Sequence, residues 1–366
     1  MKTKFRSLFI VLVLLAGIHS TSAQLGIAPA GTQSVLYWPT SATNYVLQST
    51  TNLTSPNWLM VTDAVQATAF IVTNTSPARF FRLSTTNPPI GMALIPSGSF
   101  TMGNSIGDNY ITDATPTNIY VSAFYMDVNL VSYSQWQAVY AYATIHGYSF
   151  ANAGSGKASS HPVQTVDWFD CVKWSNARSQ QEGLTPVYYT DAGFTQVYTN
   201  GEDGAAVYAN WAANGYRLPT EAEWEKAARG GLSGNRFPWG NTISESQANY
   251  QGCTTCFSFD LGPDGYNPNF DAGSQPYTSP GGAFAANGYE LNDMAGNLAE
   301  WCWDWYGTPY GQPTPTNPTG PATGSYRILR GGDWSDGASL APCAMRISNN
   351  PSAASIYLGF RCARGY

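Results

Sequence analysis

Tyr216-Arg-Leu-Pro-Thr-Glu-Ala-Glu-Trp-Glu-Lys-Ala-Ala228 reads as the approach to, and body of, a short helix. Thr220 supplies a side-chain oxygen for the first orphan N–H groups, and Glu223, three residues on, completes a capping box. Glu221 and Glu223 fall in the first turn, where acids suit the positive end of the helix dipole. Trp224 is expected in the core together with Trp239, Trp301 and Trp334, because large aromatic side chains are mostly buried.

Working outward, two longer helices precede this one. Val131 to Ala143 starts a helix with Ser132 as N-cap and Trp136 and Val139 on one face. His161-Pro-Val-Gln-Thr-Val-Asp-Trp168 leads into a second, Phe169 to Glu182, which Gly183 stops. Short extended runs surround them. Met92 to Gly103 looks like strand, turn and strand, Tyr120 to Met126 like one strand, and Arg327 to Arg330 and Gly359 to Cys362 like two more. Few helices beside short antiparallel strands and many loops make an α+β domain over residues 91–366. Residues 24–88 differ in texture. Ser34–Trp38, Tyr45–Ser49, Ala69–Thr73 and Arg79–Leu83 are β-branched and aromatic runs separated by Ser, Thr, Asn and Pro, the pattern of a small β-sandwich-like module. Thr85 to Pro89 reads as the linker.

Composition narrows the class. Of 366 residues only 11% are charged, against about 25% in typical soluble proteins. The net charge is −6 and no basic stretch follows the first few residues, which argues against nucleic acid as a partner. The 12 Trp, 23 Tyr, 36 Gly and 23 Pro predict a loop-rich fold pinned by aromatic packing. Residues 1–23 form a signal-peptide pattern: Lys2, Lys4 and Arg6, then the apolar run Leu8 to Ile18, then the small residues Thr21-Ser-Ala23. The expected location is therefore secreted or periplasmic, with no membrane span after cleavage. Six cysteines in an exported chain are disulfide candidates: Cys171, Cys253, Cys256, Cys302, Cys343 and Cys362. Cys253-Thr-Thr-Cys256 lacks the second ligand pair of a zinc site and reads as a local disulfide or two free thiols.

From Gly91 onward several segments resemble the formylglycine-generating enzyme, or sulfatase-modifying factor, family. In order they are Ile95 to Gly103, Phe124 to Asp127, His161-Pro-Val with Val166-Asp-Trp168, and Tyr216 to Glu225. Phe237-Pro-Trp-Gly-Asn241, Asn287-Gly-Tyr289, Gly296-Asn297 with Glu300-Trp301, Arg330-Gly-Gly332 and Gly359 to Ala363 follow. The resemblance implies a variant of the C-type-lectin fold. It also implies structural calcium. One site would use the side chains of Asp293 and Glu300 and the carbonyls of Gly296 and Leu298. A second would use Asn249 and Tyr250 with a downstream acid, Asp271 or Asp264. Hard cations want such oxygen ligands.

Active members of that family oxidise a substrate cysteine with O₂ and a copper(I) ion held by two thiolates. Here the segment after the double glycine reads Gly331-Gly-Asp-Trp-Ser-Asp-Gly-Ala-Ser-Leu-Ala-Pro-Cys343. Asp336 falls where the first copper cysteine would be, and the second has no counterpart. A carboxylate does not replace a thiolate for soft Cu(I), so copper is not expected. Ala299 also stands where relatives often carry Trp. The iron enzymes that share the domain need a histidine cluster, and this chain has three histidines, His19, His146 and His161, the first in the signal peptide. The family's disulfide partners of Cys343 and Cys362 would fall at Ala228 and Ser175. Cys171, one helical turn before Ser175 on the same face, is then a candidate partner of Cys362, and Cys302 a candidate for Cys343. The functional expectation is an exported, non-catalytic protein that binds a peptide, protein or glycan, with Asp333, Trp334 and Asp336 as candidate groove residues. The alternative is a metal-dependent oxidase of the formylglycine-generating type.

Overall fold

The computed structural model describes residues 26–30, 33–37, 45–50, 59–60, 69–73, 80–85 and 88–366, except 203 and 308–315. Residues 1–23, read as a signal peptide, lie outside that range. The chain divides into two units, Met1–Pro88 and Pro89–Tyr366. Among the described residues no helix is long and apolar enough to cross a membrane.

The first unit has strands β1 (Gly26–Ala30), β2 (Gln33–Tyr37), β3 (Tyr45–Thr50), β4 (Leu59–Met60), β5 (Ala69–Thr73) and β6 (Phe80–Thr85). They form two antiparallel sheets, ordered β1-β2-β5 and β4-β3-β6. In β2 the period of two is visible. Ser34 and Leu36 are buried on one face while Tyr37, on the other, is exposed.

The second unit begins with β7 (Met92–Ile95), β8 (Gly98–Met102), β9 (Thr117–Val121) and β10 (Phe124–Asp127). The single strand expected over Tyr120 to Met126 is thus two. Ser122 and Ala123 break it, so that β9 pairs with β8 and β10 pairs with β7 and with the C-terminal strand. Helices α1 (Tyr133–Ile145) and α2 (Trp168–Gln181) follow, then β11 (Tyr188–Tyr189), β12 (Tyr208–Ala209), β13 (Tyr216–Arg217) and α3 (Glu221–Ala228). The rest is β14 (Gln251–Gly252), β15 (Gly265–Tyr266), β16 (Ala299–Trp305), β17 (Arg327–Arg330), β18 (Ile347–Asn349), β19 (Leu358–Gly359) and β20 (Ala363–Gly365). Two four-stranded sheets organise them, β13-β20-β10-β7 and β18-β17-β16-β19.

All three helices carry side-chain N-caps. Ser132 accepts from Gln135 N, Asp167 from Asp170 N, and Thr220 with Glu223 forms the full capping box. Every residue of α2 from Trp168 to Ser179 is buried. A helix buried all round must satisfy its polar groups internally. Asn176 does so with four backbone partners at Val187, Tyr188 and Tyr198, and Arg178 pairs with Asp127 at 2.8 Å. Around it Trp136 and Trp174 stack at 5.8 Å, and Phe360 meets both edge-on. Trp224, Trp301 and Trp334 are core residues as expected, whereas Trp239 is half-buried, its indole donating to Thr242 O at 2.9 Å.

Candidate ligand-binding loop and metal loops

The acids of α3 do more than favour a helix dipole. Glu223 takes a two-pronged contact from Arg217 at 2.6 and 2.7 Å, and Glu221 one from Arg346 at 2.7 and 3.0 Å. Glu225, fully buried, accepts from Gly103 N at 2.6 Å and from Arg229 at 2.7 Å, and pairs with Arg330. The next helical position inward, Trp224, donates its indole N–H to Glu300 at 2.9 Å. One helical turn thereby ties β13, the end of β17 and β16 together. That tie fixes where the chain leaves Arg330 for the loop that follows.

Gly331 and Gly332 both have positive φ, +92° and +71°. A Cβ on Gly332 would lie 3.0 Å from Leu340 O, and one on Gly331 3.2 Å from the Trp224 ring, so close approach as well as backbone conformation requires glycine. The loop then holds itself. Asp333 accepts from Ser335 N and Oγ at 2.8 and 2.7 Å, Asp336 accepts from Asp333 N at 3.1 Å, and Asp336 O accepts from Gln251 N at 2.9 Å. Burial, then the charge of Asp333, pushes the Asp336 carboxyl up to about 7, and burial raises Asp333 too. Trp334, named as a groove candidate, is a support instead. It is buried, donates to Ile356 O at 3.2 Å, and is ringed by half-buried Tyr266, Tyr277 and Tyr357 at 5.2 to 5.6 Å. The partly exposed surface here is those tyrosines and Ser335-Asp336-Gly337, with Lys157 Nζ 5.4 Å from the Tyr277 ring.

In the first metal loop Glu300 has protein partners, and Asp293 keeps one buried oxygen without one. Both oxygens of Glu300 are taken by Arg361 at 2.8 Å, in addition to the Trp224 indole. Arg361 also donates to the backbone oxygens of Asn292 and Asp293, neither of them an expected donor. Asp293 accepts from Gly282 N at 3.0 Å, its other oxygen is buried without a partner, and burial raises it to about 6. Gly296 and Asn249 are bridged backbone to backbone, a contact so tight that a Cβ on Gly296 would lie 2.2 Å from Asn249 O. In the second loop Asn249 O is occupied by Asn297 N at 2.8 Å and the Tyr250 hydroxyl donates to Asp260 at 2.5 Å. Asp264 accepts from Thr254, and Asp271 is exposed. Glu245, which the sequence reading passed over, is a second buried acid with open oxygens, beside Asp293. It is 6% exposed, neither carboxyl oxygen has a partner, and burial followed by Asp260 and Asp271 lifts it to about 7. Only its spacing from Asn249 could have drawn attention to it.

Cys253 and Cys256 form a disulfide. The bridges expected between Cys171 and Cys362 and between Cys302 and Cys343 are not formed, and all four are buried free thiols. The side chain that faces Cys362 is Ser175, whose oxygen lies 3.6 Å from its sulfur; Cys171, a turn earlier, is not a substitute for it. Burial pushes Cys343 and Cys362 up to about 12 and raises Cys171 and Cys302 well above an ordinary thiol. Only Cys343 belongs to the segment after the double glycine, and it is fully buried at that segment's far end. His146 contacts Tyr142 O, and His161 contacts the Thr278 hydroxyl at 2.9 Å, so the two share no partner.

Fold and motifs together define a C-type-lectin-like α+β domain of the formylglycine-generating type. The sulfatase-modifying factor enzyme 1-like domain profile matches residues 78–366, and the chain belongs to that family. A formylglycine-generating enzyme of Streptomyces coelicolor is 34% identical over 292 residues, 75% of this chain and 88% of that one. One from Thermomonospora curvata is 34% identical over 296 residues, 75% and 93% of the two chains. Among solved structures, Treponema denticola variable protein 1 superposes with a TM-score of 0.59 at 29% identity, covering 75% of this chain and 95% of its own.

Proposed function

We propose that this chain is an exported, non-catalytic member of the family that binds a peptide, protein or glycan on the surface formed by Tyr266, Tyr277, Tyr357 and Asp336. The observation that carries this reading is the loop after the double glycine. It offers Asp333 and Asp336, while the four unpaired thiols, Cys343 at the far end of that segment included, are buried in the core with raised pKa values. Copper(I) needs thiolates, and a protonated core thiol is neither a ligand nor a nucleophile. Half-buried tyrosines beside an acid and a lysine are the surface chemistry of recognition, since aromatic rings add contact area at low entropic cost. The export signal over residues 1–23 supports a secreted or periplasmic location.

A second reading, an oxidase acting on protein cysteine, is favoured by relatives that carry the name formylglycine-generating enzyme. Fold membership alone does not decide between the two, because one fold hosts unrelated functions.

Peptide and glycan display arrays probed with the full chain test the binding reading. A selective set of ligands is expected, with Tyr277→Ala or Asp336→Ala weakening each by roughly tenfold, the order of 1–2 kcal/mol for a contact residue. Arrays that select nothing, or variants that bind like the parent, would contradict it.

A further inference from the structure

Between the C-terminal end of α3 and strands β8 and β9 lies a cavity of about 340 Å³, within the size range of small-molecule pockets. Ser97, Ser99, Thr101 and Asn118 give it hydroxyl and amide groups, and Leu232 and Tyr289 give it apolar wall. Lys226, 5% exposed, lines it from the helix. Its Nζ donates to Gly98 O at 3.0 Å and Val121 O at 3.2 Å, and no carboxylate pairs with it among the described residues. The contrast with Lys173 is plain: that amine, also buried, is held by Asp170 and Glu202.

An ammonium has three N–H donors, and among the described residues two carbonyls accept two of them. A neutral amine keeps both of those bonds. Its two N–H groups meet the same two carbonyls, and its lone pair is left for the cavity. Burial alone lowers the Lys226 pKa to about 8. At pH 7 such an amine is roughly 10% neutral, against about 0.03% for an ordinary lysine.

We propose that Lys226 is a carbonyl-reactive amine and that the cavity admits a small hydroxylated aldehyde, which condenses with it as an imine. The nitrogen attacks the carbonyl carbon to give a carbinolamine. The carbonyl oxygen then leaves as water with two protons from the amine, and a C=N bond remains. No oxidant or reductant enters. Protonation of the imine restores one N–H for Gly98 O or Val121 O. Desolvated lysines are activated for this chemistry, and polar lining groups orient a hydroxylated body. The site is independent of the loop at Asp336 and of what that loop binds.

The test uses the full chain with glyceraldehyde and cyanoborohydride, followed by digestion and mass spectrometry. Beyond residue 4 the chain has only Lys157, Lys173 and Lys226, so each is scored separately. Lys226 is expected to label at least ~10-fold faster than exposed Lys157 at pH 7, with a rate that levels off above about pH 8. Lys226→Arg, verified as folded by its melting curve, should lose that signal and leave Lys157 unchanged. Labelling of Lys226 no faster than Lys157, or a rate that climbs without levelling to pH 10, would overturn the assignment.

Discussion

An acid at position 336 alters both what the loop can hold and how it responds to pH. With its carboxyl raised to about 7 by burial and by Asp333, the folded state binds a proton there that the unfolded chain gives up near pH 4. Between those values the native state carries more protons, so the contribution of Asp336 to stability falls as pH rises from about 4 to about 7. Asp336→Asn keeps an oxygen for Asp333 N and removes the charge. It should therefore be more stable than the parent at pH 8, by on the order of 1 kcal/mol after allowing for solvent screening, and equal to it near pH 4. Denaturant melts at the two values check this, and a variant less stable at pH 8 would contradict it. The substitution of acid for sulfur was legible from one segment. The fate of Glu300 was not, because its partner Arg361 lies 61 residues further on and nothing local links the two. Glu245 was equally illegible: what distinguishes it is burial without a partner, and sequence does not display burial.

The helices show the converse. Their caps at Ser132, Asp167 and Thr220 act within three or four residues, so boundaries could be read to within a residue or two. Strand pairing is non-local, which is why Tyr120 to Met126 read as one strand although β9 and β10 belong to different sheets. The same limit hid the role of α3. Its acids had a sufficient local reason to be there, yet Glu225 meets Arg330 across 105 residues and Glu221 meets Arg346 across 125. Removing the charge of a buried partner leaves the other uncompensated, at a cost of roughly 3–5 kcal/mol. Glu225→Gln should lose stability of that order, whereas Thr220→Ala, which removes only a cap bond, should lose about 1 kcal/mol. Denaturation of the two variants side by side measures the ratio. Equal losses would mean the ion pairs contribute no more than the cap.

Across the whole molecule, every cysteine is either bridged or hidden. Cys253 and Cys256 are bonded to each other, and the remaining four cysteines sit in the core. An alkylating reagent should label nothing in the native oxidised chain, then Cys253 and Cys256 after mild reduction, and the other four only in denaturant. Recovery of a Cys171–Cys362 or Cys302–Cys343 peptide after denaturing alkylation without reductant would show that the core thiols are paired after all. The family's fold was legible here because its signature segments recur in order from Gly91 to Tyr366. Its chemistry was legible only as a mismatch, since the residues that would hold the metal are the ones replaced. The decisive measurement is therefore catalytic. Full-length chain, loaded with copper(I) under O₂, is incubated with a sulfatase-type Cys-x-Pro-x-Arg peptide, and the peptide is followed by mass spectrometry and aldehyde capture. The cysteine should remain unchanged over many hours; its conversion to formylglycine in repeated turnovers would contradict the absence of a copper-thiolate centre.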